Sequence, residues 1–259
     1  MKRNRIAPLL TATHRYDKSL STRGRGAGVT IQAPILAYLI ETPNGRILYD
    51  VGCDYAKIAD PALRARHYDP AVFAFGAPDM REDQRLSAHL ARMGLTQADV
   101  DVVFIGHLHF DHAGALCEVA GCEIHVHADE FAAAQTGEDP AYFAADFAGD
   151  YRFRLQRDEY EVAPGVRAVN TPGHTAGHMS LWIELEHGAP VILCGDAADL
   201  TENLEHEVAP GLCWHERADL ALASIRKLKE LARREHAQLW PNHDLAFYGG
   251  TMAARQWHE

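Results

Sequence analysis

The chain has 259 residues, 47% of them hydrophobic and 24% charged, a balance that excludes wholesale disorder and can supply a buried core. Lys and Arg number 25 against 36 Asp and Glu, and the net charge of −11 argues against a nucleic-acid backbone as partner. No apolar stretch approaches the roughly 20 residues that span a bilayer. The basic start Met1–Arg5 runs into Pro8 and then His14, Arg15 and Asp17 instead of a signal-peptide core, so a soluble, cytoplasmic protein without membrane contact is expected.

No low-complexity tract, linker or long repeat divides the sequence, and residues 1–259 read as a single domain. Pro34–Glu41 is a β-rich apolar run, Pro43-Asn44-Gly45 a turn, and Arg46–Val51 the returning strand. Leu86, Leu90 and Met93 fall at i, i+4 and i+7 ahead of Gly94, the pattern of an amphipathic helix with a glycine stop. Residues 101–106 read as a buried strand from their Val-Val-Phe-Ile content, and Glu123–His127 as another short one.

Between 138 and 157, Tyr142, Phe143, Phe147, Tyr151 and Phe153 are interleaved with Asp and Arg without periodicity. Two readings stay open for this segment: aromatics packed into the core, or an apolar flap over a substrate. Val166–Asn170, Ser180–Leu185 and Pro190–Cys194 read as strands, the last two joined through a Gly188 turn. Glu216–Glu235 is the clearest helix, with Ala221, Ile225, Leu228 and Ala232 in one stripe, and Ala237–Trp240 closes with a strand. Strands lead and helices follow in two successive halves, which predicts an α/β fold of sheets covered by helices.

Five cysteines, Cys53, Cys117, Cys122, Cys194 and Cys213, are odd in number and form no C-x-x-C pair, so buried, reduced thiols are expected. Sixteen histidines are the abnormal feature. Residues 107–114 read His-Leu-His-Phe-Asp-His-Ala-Gly directly after a buried strand. Alternation along a strand end turns His107 and His109 to one side, and the following turn swings Asp111 and His112 toward the same pocket. Metal ligation satisfies all four groups at once. Further islands end other strands: His174 in the Pro172-Gly173 turn, with His178 after it, Asp196 after Cys194-Gly195, and His243 in Pro241-Asn242-His243-Asp244. His125 and His127 alternate on a strand but lack a partner motif and read as satisfied core or surface groups.

With this set, H-x-H-x-D-H followed by an isolated His, Asp and His, the sequence resembles the metallo-β-lactamase superfamily from the Tyr49-Asp50-Val51-Gly52 strand end to His243. The resemblance implies a four-layer αβ/βα sandwich and two divalent metal ions, zinc first. His107, His109 and His174 would hold one ion, Asp111, His112 and His243 the other, and Asp196 would bridge them. Asp50 and His178 would stand behind the ligands and orient them. Such a pair of ions shares one hydroxide that attacks the substrate, with Asp111 as the catalytic residue that orients it and delivers a proton to the leaving oxygen.

The stretch from Gly195 through Thr201-Glu202-Asn203-Leu204-Glu205 to Ser224–Leu228 is similar to the quorum-quenching N-acyl homoserine lactone lactonases. In those enzymes a tyrosine lies three residues beyond the bridging aspartate and assists at the lactone carbonyl. Here the position is Asp199, expected to be an anionic acceptor that cannot donate that hydrogen bond. A lactone remains the expected small-molecule substrate, with Asp199, Phe110, Tyr142, Phe143 and Phe147 as candidate contacts and a homodimer among the possible assemblies. The alternative is another hydrolase of the same fold, acting on an ester, a thioester as glyoxalase II does, a cyclic amide or a phosphoester. A mononuclear iron dioxygenase is disfavoured by the complete second ligand set, and a redox sensor built on Cys194 by the spare carboxylate.

Overall fold

The computed structural model describes residues 4–259 apart from Val72 and Ala74; Met1, Lys2 and Arg3 of the basic start lie outside the described residues. The first sheet has the order β1-β2-β3-β4-β5-β6. It is built from β1 (Arg5–Asp17), β2 (Thr30–Thr42), β3 (Gly45–Tyr49), β4 (Val102–Phe104), β5 (Glu123–His127) and β6 (Arg152–Gln156). β1 to β3 run antiparallel and β3 to β6 parallel. The second sheet has the order β11-β10-β9-β8-β7, from β7 (Tyr160–Ala163), β8 (Val166–Asn170), β9 (Met179–Ile183), β10 (Val191–Leu193) and β11 (Gln238–Trp240). Its one parallel pair is β10 with β11.

The two-residue side-chain period of the strands explains how the sheets stack. On β2, Leu36, Tyr38 and Ile40 turn inward to meet Met179, Leu181 and Ile183 of β9, forming an apolar cluster shared by the two sheets. The alternate residues Ala37 and Leu39 face outward into a second cluster with Leu86 and Leu90 of α3 (Leu86–Arg92), following α1 (Tyr55–Ala59) and α2 (Pro61–His67) in the chain. The outer face of the second sheet, with Trp182 and Ile192, is covered by Ile225, Leu228 and Leu231 of the long helix Ala218–Glu235. The order is therefore helix, sheet, sheet, helix, the α/β sandwich expected. Removing a fully buried side chain of the shared cluster, such as Leu181, costs about 2–5 kcal/mol.

Part of segment 138–157 packs into the core. Phe147, on a short helix Ala144–Phe147, is buried in the cluster beneath the first sheet, and Phe153 packs against that cluster from β6, an edge strand. Among the described residues no helix is long and apolar enough to cross a membrane. The cysteines are free, and Cys53, Cys122 and Cys194 are buried as expected, but Cys117 is exposed and Cys213 half-buried. Position, not residue type, decides this, since Cys117 sits on the exposed side of a short 3-10 helix, Gly114–Val119, whose Leu116 is buried.

Candidate metal centre

The expected ligands leave the sheets at one rim. His107 follows β4 by way of Ile105-Gly106, His174 follows β8, Asp196 follows β10 and His243 follows β11. The two sheets are tied there by the Met179 N–H donating to the Gly106 carbonyl at 2.9 Å. Gly195, at φ +54, is required: a Cβ would lie 2.5 Å from His178 Nε2 and 2.6 Å from the Tyr49 hydroxyl. Asp111 and His112 lie on α4 (Phe110–Ala113), which starts directly after His109.

The donor atoms of His107, His109 and His174 lie within 4.8 Å of one another, as do those of Asp111, His112 and His243. Asp196 stands between the two sets. Its Oδ2 lies 3.6 Å from His107 Nε2 and 3.4 Å from His174 Nε2, and its Oδ1 lies 3.2 Å from both His112 Nε2 and His243 Nε2. Asp111 Oδ2 is 3.6 Å from His112 Nε2 and 3.7 Å from His243 Nε2.

Whether this centre fits cations can be tested on the ring nitrogens. A neutral imidazole has one N–H, and which nitrogen carries it follows from its partner. His112 gives Nδ1–H to Asp50 Oδ2 at 2.8 Å, His243 gives Nδ1–H to the Pro34 carbonyl at 2.8 Å, and His174 gives Nδ1–H to the Leu212 carbonyl at 3.2 Å. His109 gives Nε2–H to Asp139 Oδ2 at 3.2 Å. In its neutral state each of these rings then turns a lone pair inward. His109 Nδ1 and His174 Nε2 accordingly face each other at 3.1 Å with no proton to share. His107 has no hydrogen-bond partner on either nitrogen and is fully buried, and His112 Nε2 is likewise unpartnered. Lone pairs converging around carboxylates are stabilised by a cation, so the residues fit a pair of divalent ions. The carboxylates also favour positive charge at the centre: burial opposes charging His243, but Asp196, Asp199 and Asp111 outweigh it and push the imidazole up to about 10, so that without an ion a proton occupies the inward nitrogen an ion would take.

Asp50 earns its position behind His112 through a left-handed backbone, φ 58, held by Gly106 N–H donating to Oδ1 at 2.8 Å. His178 turns no nitrogen toward the cluster. Its Nε2 accepts from the Asp196 N–H at 2.9 Å, so Nδ1–H must donate to Thr171 Oγ1 at 2.8 Å, and the chain continues through Ser180 to the Cys194 carbonyl. Burial holds His178 neutral, down to about 3. His125 is engaged by Tyr160 and Glu123, and His127 by the Arg157 carbonyl and the Asp129 N–H, and neither belongs to the clustered donor groups.

Position 199 lies deep in the site. Asp199 is buried, lines the central cavity and offers a donor atom near Asp196 and His243. Burial first, then the negative charge of Asp196, pushes its carboxyl up to about 8, so without a bound cation it is protonated at neutral pH. Of the aromatic candidates, Phe110 lines the cavity and Tyr142 packs its ring 4.7 Å from that of His109. Phe143 stacks on Phe110 at 5.3 Å, one layer back, and Phe147 is in the core, away from the site.

Several residues at this centre carry no sequence signal of their own. Glu130, on α5 (Ala128–Ala134), is fully buried and accepts from the Leu108 N–H at 2.9 Å, the Gly177 N–H at 3.1 Å and the Tyr142 hydroxyl at 2.8 Å. Asn242 donates to Asp196 Oδ1 at 3.0 Å, and Asp139 anchors His109. Two spaces open on the metal centre: a cavity of about 60 Å³, and a groove of about 810 Å³ that shares Phe75, His174 and Leu212 with it and continues past Tyr142 to Trp214.

The sequence pattern of the metallo-beta-lactamase superfamily matches residues 31–241. The chain is 36% identical over 220 residues to an N-acyl homoserine lactonase from Bacillus sp, covering 84% of each protein. It is 34% identical over 231 residues to one from Bacillus cereus, covering 88% of each. Among solved structures it is similar to an N-acyl homoserine lactone hydrolase with the product N-hexanoyl-L-homoserine bound at its catalytic metal centre, with a TM-score of 0.87, 30% identity, and 96% and 97% of the two chains covered. The dizinc lactonase AidC, at 15% identity and a TM-score of 0.70 over 95% of this chain and 89% of its own, shares the fold.

Proposed function

The chain belongs to the metallo-β-lactamase superfamily, and on that footing we propose that it is a metal-dependent hydrolase opening the ring of an N-acyl homoserine lactone or a related lactone. The observation that carries the reading is Asp196, with one carboxylate oxygen toward His107 and His174 and the other toward His112 and His243. His107, His109 and His174 would hold one divalent ion, and Asp111, His112 and His243 the second, with Asp196 between them. Imidazole and carboxylate donors suit zinc first. When bound, such ions supply an acidified water and Lewis acidity toward an ester carbonyl.

The protein's own groups do the rest. Asp139, Asp50 and the Leu212 and Pro34 carbonyls accept from the outer nitrogens of their histidines, so the inward nitrogens are the ones an ion would take. Asp111, half-buried in the cavity wall, orients the attacking water, takes a proton on its carboxylate and returns it to the ring oxygen as the ester C–O bond breaks. The product is the open hydroxy acid. The cavity of about 60 Å³ has room for the reacting ester but not for an acyl chain, which the adjoining groove of about 810 Å³ accommodates between Tyr142 and Trp214. This reading treats residues 1–259 as one domain, in keeping with the apolar cluster shared by both sheets, and makes quenching of a lactone signal in the cytoplasm its consequence.

The test is elemental analysis together with turnover of lactones, thioesters and phosphoesters on one preparation. Two divalent ions per chain and fastest turnover of a lactone are expected. A fully loaded protein inert to lactones of varied ring and chain length would sink the reading, and preferred turnover of a thioester would replace it.

A further inference from the structure

The wall of the central cavity carries the carboxylates of Asp111 and Asp196, and Asp199, raised but beside the candidate ligands Asp196 and His243, loses its proton once cations are bound there. As an ester ring opens, negative charge gathers on the carbonyl oxygen and then on the ring oxygen, and carboxylates repel it. The wall therefore needs a neutral donor that keeps its proton. Apart from the carboxylates and the candidate metal-binding histidines, its polar side chains are His14, Tyr16 and Ser21. His14 is committed elsewhere, its Nε2 lying 2.9 Å from both the Phe75 and Gly76 carbonyls.

Tyr16 follows His14 on the same face of β1, with ring centroids 5.4 Å apart. Its hydroxyl lies 2.8 Å from Ser21 Oγ. Ser21 is fully buried and also within hydrogen-bonding reach of Asp199, whose Oδ1 is buried without a partner. The turn carrying Ser21 is pinned on several sides. Asn203 Nδ2 donates to the Ser21 carbonyl at 2.8 Å, Gly211 N–H donates to the Leu20 carbonyl at 2.9 Å, and Lys18 pairs with Glu202. A phenol held this way loses little freedom when it binds. Burial, with Asp199 beside it, keeps the phenol protonated far above neutral pH.

We propose that Tyr16 is a catalytic residue of this enzyme, its phenol donating a hydrogen bond to the ester oxygen of the bound lactone while Ser21 positions it. The assignment rests on the lactonase reading. Tyr16 keeps its proton, and no bond to it forms or breaks. Asp199, which shares Ser21 with the phenol, then completes a polar strip from β1 to the metal centre.

Tyr16→Phe removes one oxygen and keeps the ring. In metal-loaded protein it is expected to lower kcat for lactones about 10–100-fold while KM moves less than about three-fold, because the bond strengthens as charge develops. Metal content and melting temperature should stay at wild-type values in the same preparation. Ser21→Ala should lose less, about 2–10-fold, since the phenol remains. Calorimetric titration with the ring-opened N-acyl homoserine gives a readout apart from turnover, and Tyr16→Phe should bind it about five- to ten-fold more weakly. Wild-type rates together with wild-type product affinity overturn the assignment. A wild-type protein that opens no lactone overturns the lactonase reading instead, and the affinity comparison then decides Tyr16 alone: equal affinities overturn it, weakened affinity supports it.

Discussion

Tyr142 donates its phenolic proton to Glu130 at 2.8 Å, and through that bond the aromatic segment is joined to both histidine loops. The same carboxylate receives the Leu108 amide, between His107 and His109, and the Gly177 amide, just after His174. One buried side chain on α5 thus holds three segments that meet at the metal centre.

Removing that hub should loosen the metal. Glu130→Ala leaves two buried amides and a phenol without an acceptor, a loss of about 1–3 kcal/mol for each group left unsatisfied. Melting temperature should fall, and metal competition with a chelator should report affinity lowered about 10–100-fold. An unchanged chelator midpoint would reduce Glu130 to a purely structural residue.

Asp50→Asn keeps the left-handed backbone, which asparagine tolerates, and the acceptor for Gly106. It can however offer an N–H to His112 Nδ1, which pushes the imidazole proton round to Nε2, the nitrogen meant for a metal. Elemental analysis is expected to find one tightly held ion per chain instead of two, with kcat reduced about 10–100-fold.

The groove should act on chain length. Each methylene buried in it is worth about 0.8 kcal/mol, or roughly four-fold in kcat/KM. Ala133→Trp, on the α5 wall of the groove, is expected to lower kcat/KM for long-chain lactones about ten-fold and to leave short-chain ones near wild type. Equal losses across a chain-length series would show that the acyl group lies elsewhere.

His178 predicts a pH dependence of stability once the metals are removed. Its folded-state value is about 3 against 6.5 for a free imidazole. The unfolded chain therefore binds the extra proton first, and stability present above pH 6.5 is lost as pH falls toward 3. Between pH 7 and pH 5 that amounts to about 2 kcal/mol. His178→Gln keeps an acceptor for the Asp196 amide but cannot titrate, so the difference in urea stability between the two pH values should shrink by about that much. A slope identical to that of the metal-free wild type would contradict the assignment.

Much of this was legible from local spacing. His107 to His112 occupy six consecutive positions just beyond a strand, where the strand exit and the turn into α4 bring them together, and β2 to β5 and β8 to β11 show in their apolar, β-branched runs. The aromatic segment was not legible in this way. Tyr142, Phe143 and Phe147 have the same composition but end beside a ligand, behind Phe110 and in the core, because a short helix redistributes them. β1, β6 and β7 lie outside the strands read from the sequence, and β6, an edge strand with Arg152, Arg154 and Gln156 in five residues, carries no apolar signature.

The sequence by itself determined which imidazoles and carboxylates are present and at which strand ends they emerge, since those depend on neighbours in the chain. Tertiary structure alone decided which nitrogen of each histidine is free, for His243 is anchored by a carbonyl 209 positions away at Pro34 and His109 by Asp139, 30 positions on. It also decided that the Asp199 carboxyl is buried beside Asp196, which raises it above a surface aspartate, and that Tyr16 meets it across Ser21. Protonation and hydrogen-bond direction follow from burial and from charges brought together through space, and neither quantity exists until the sheets have packed.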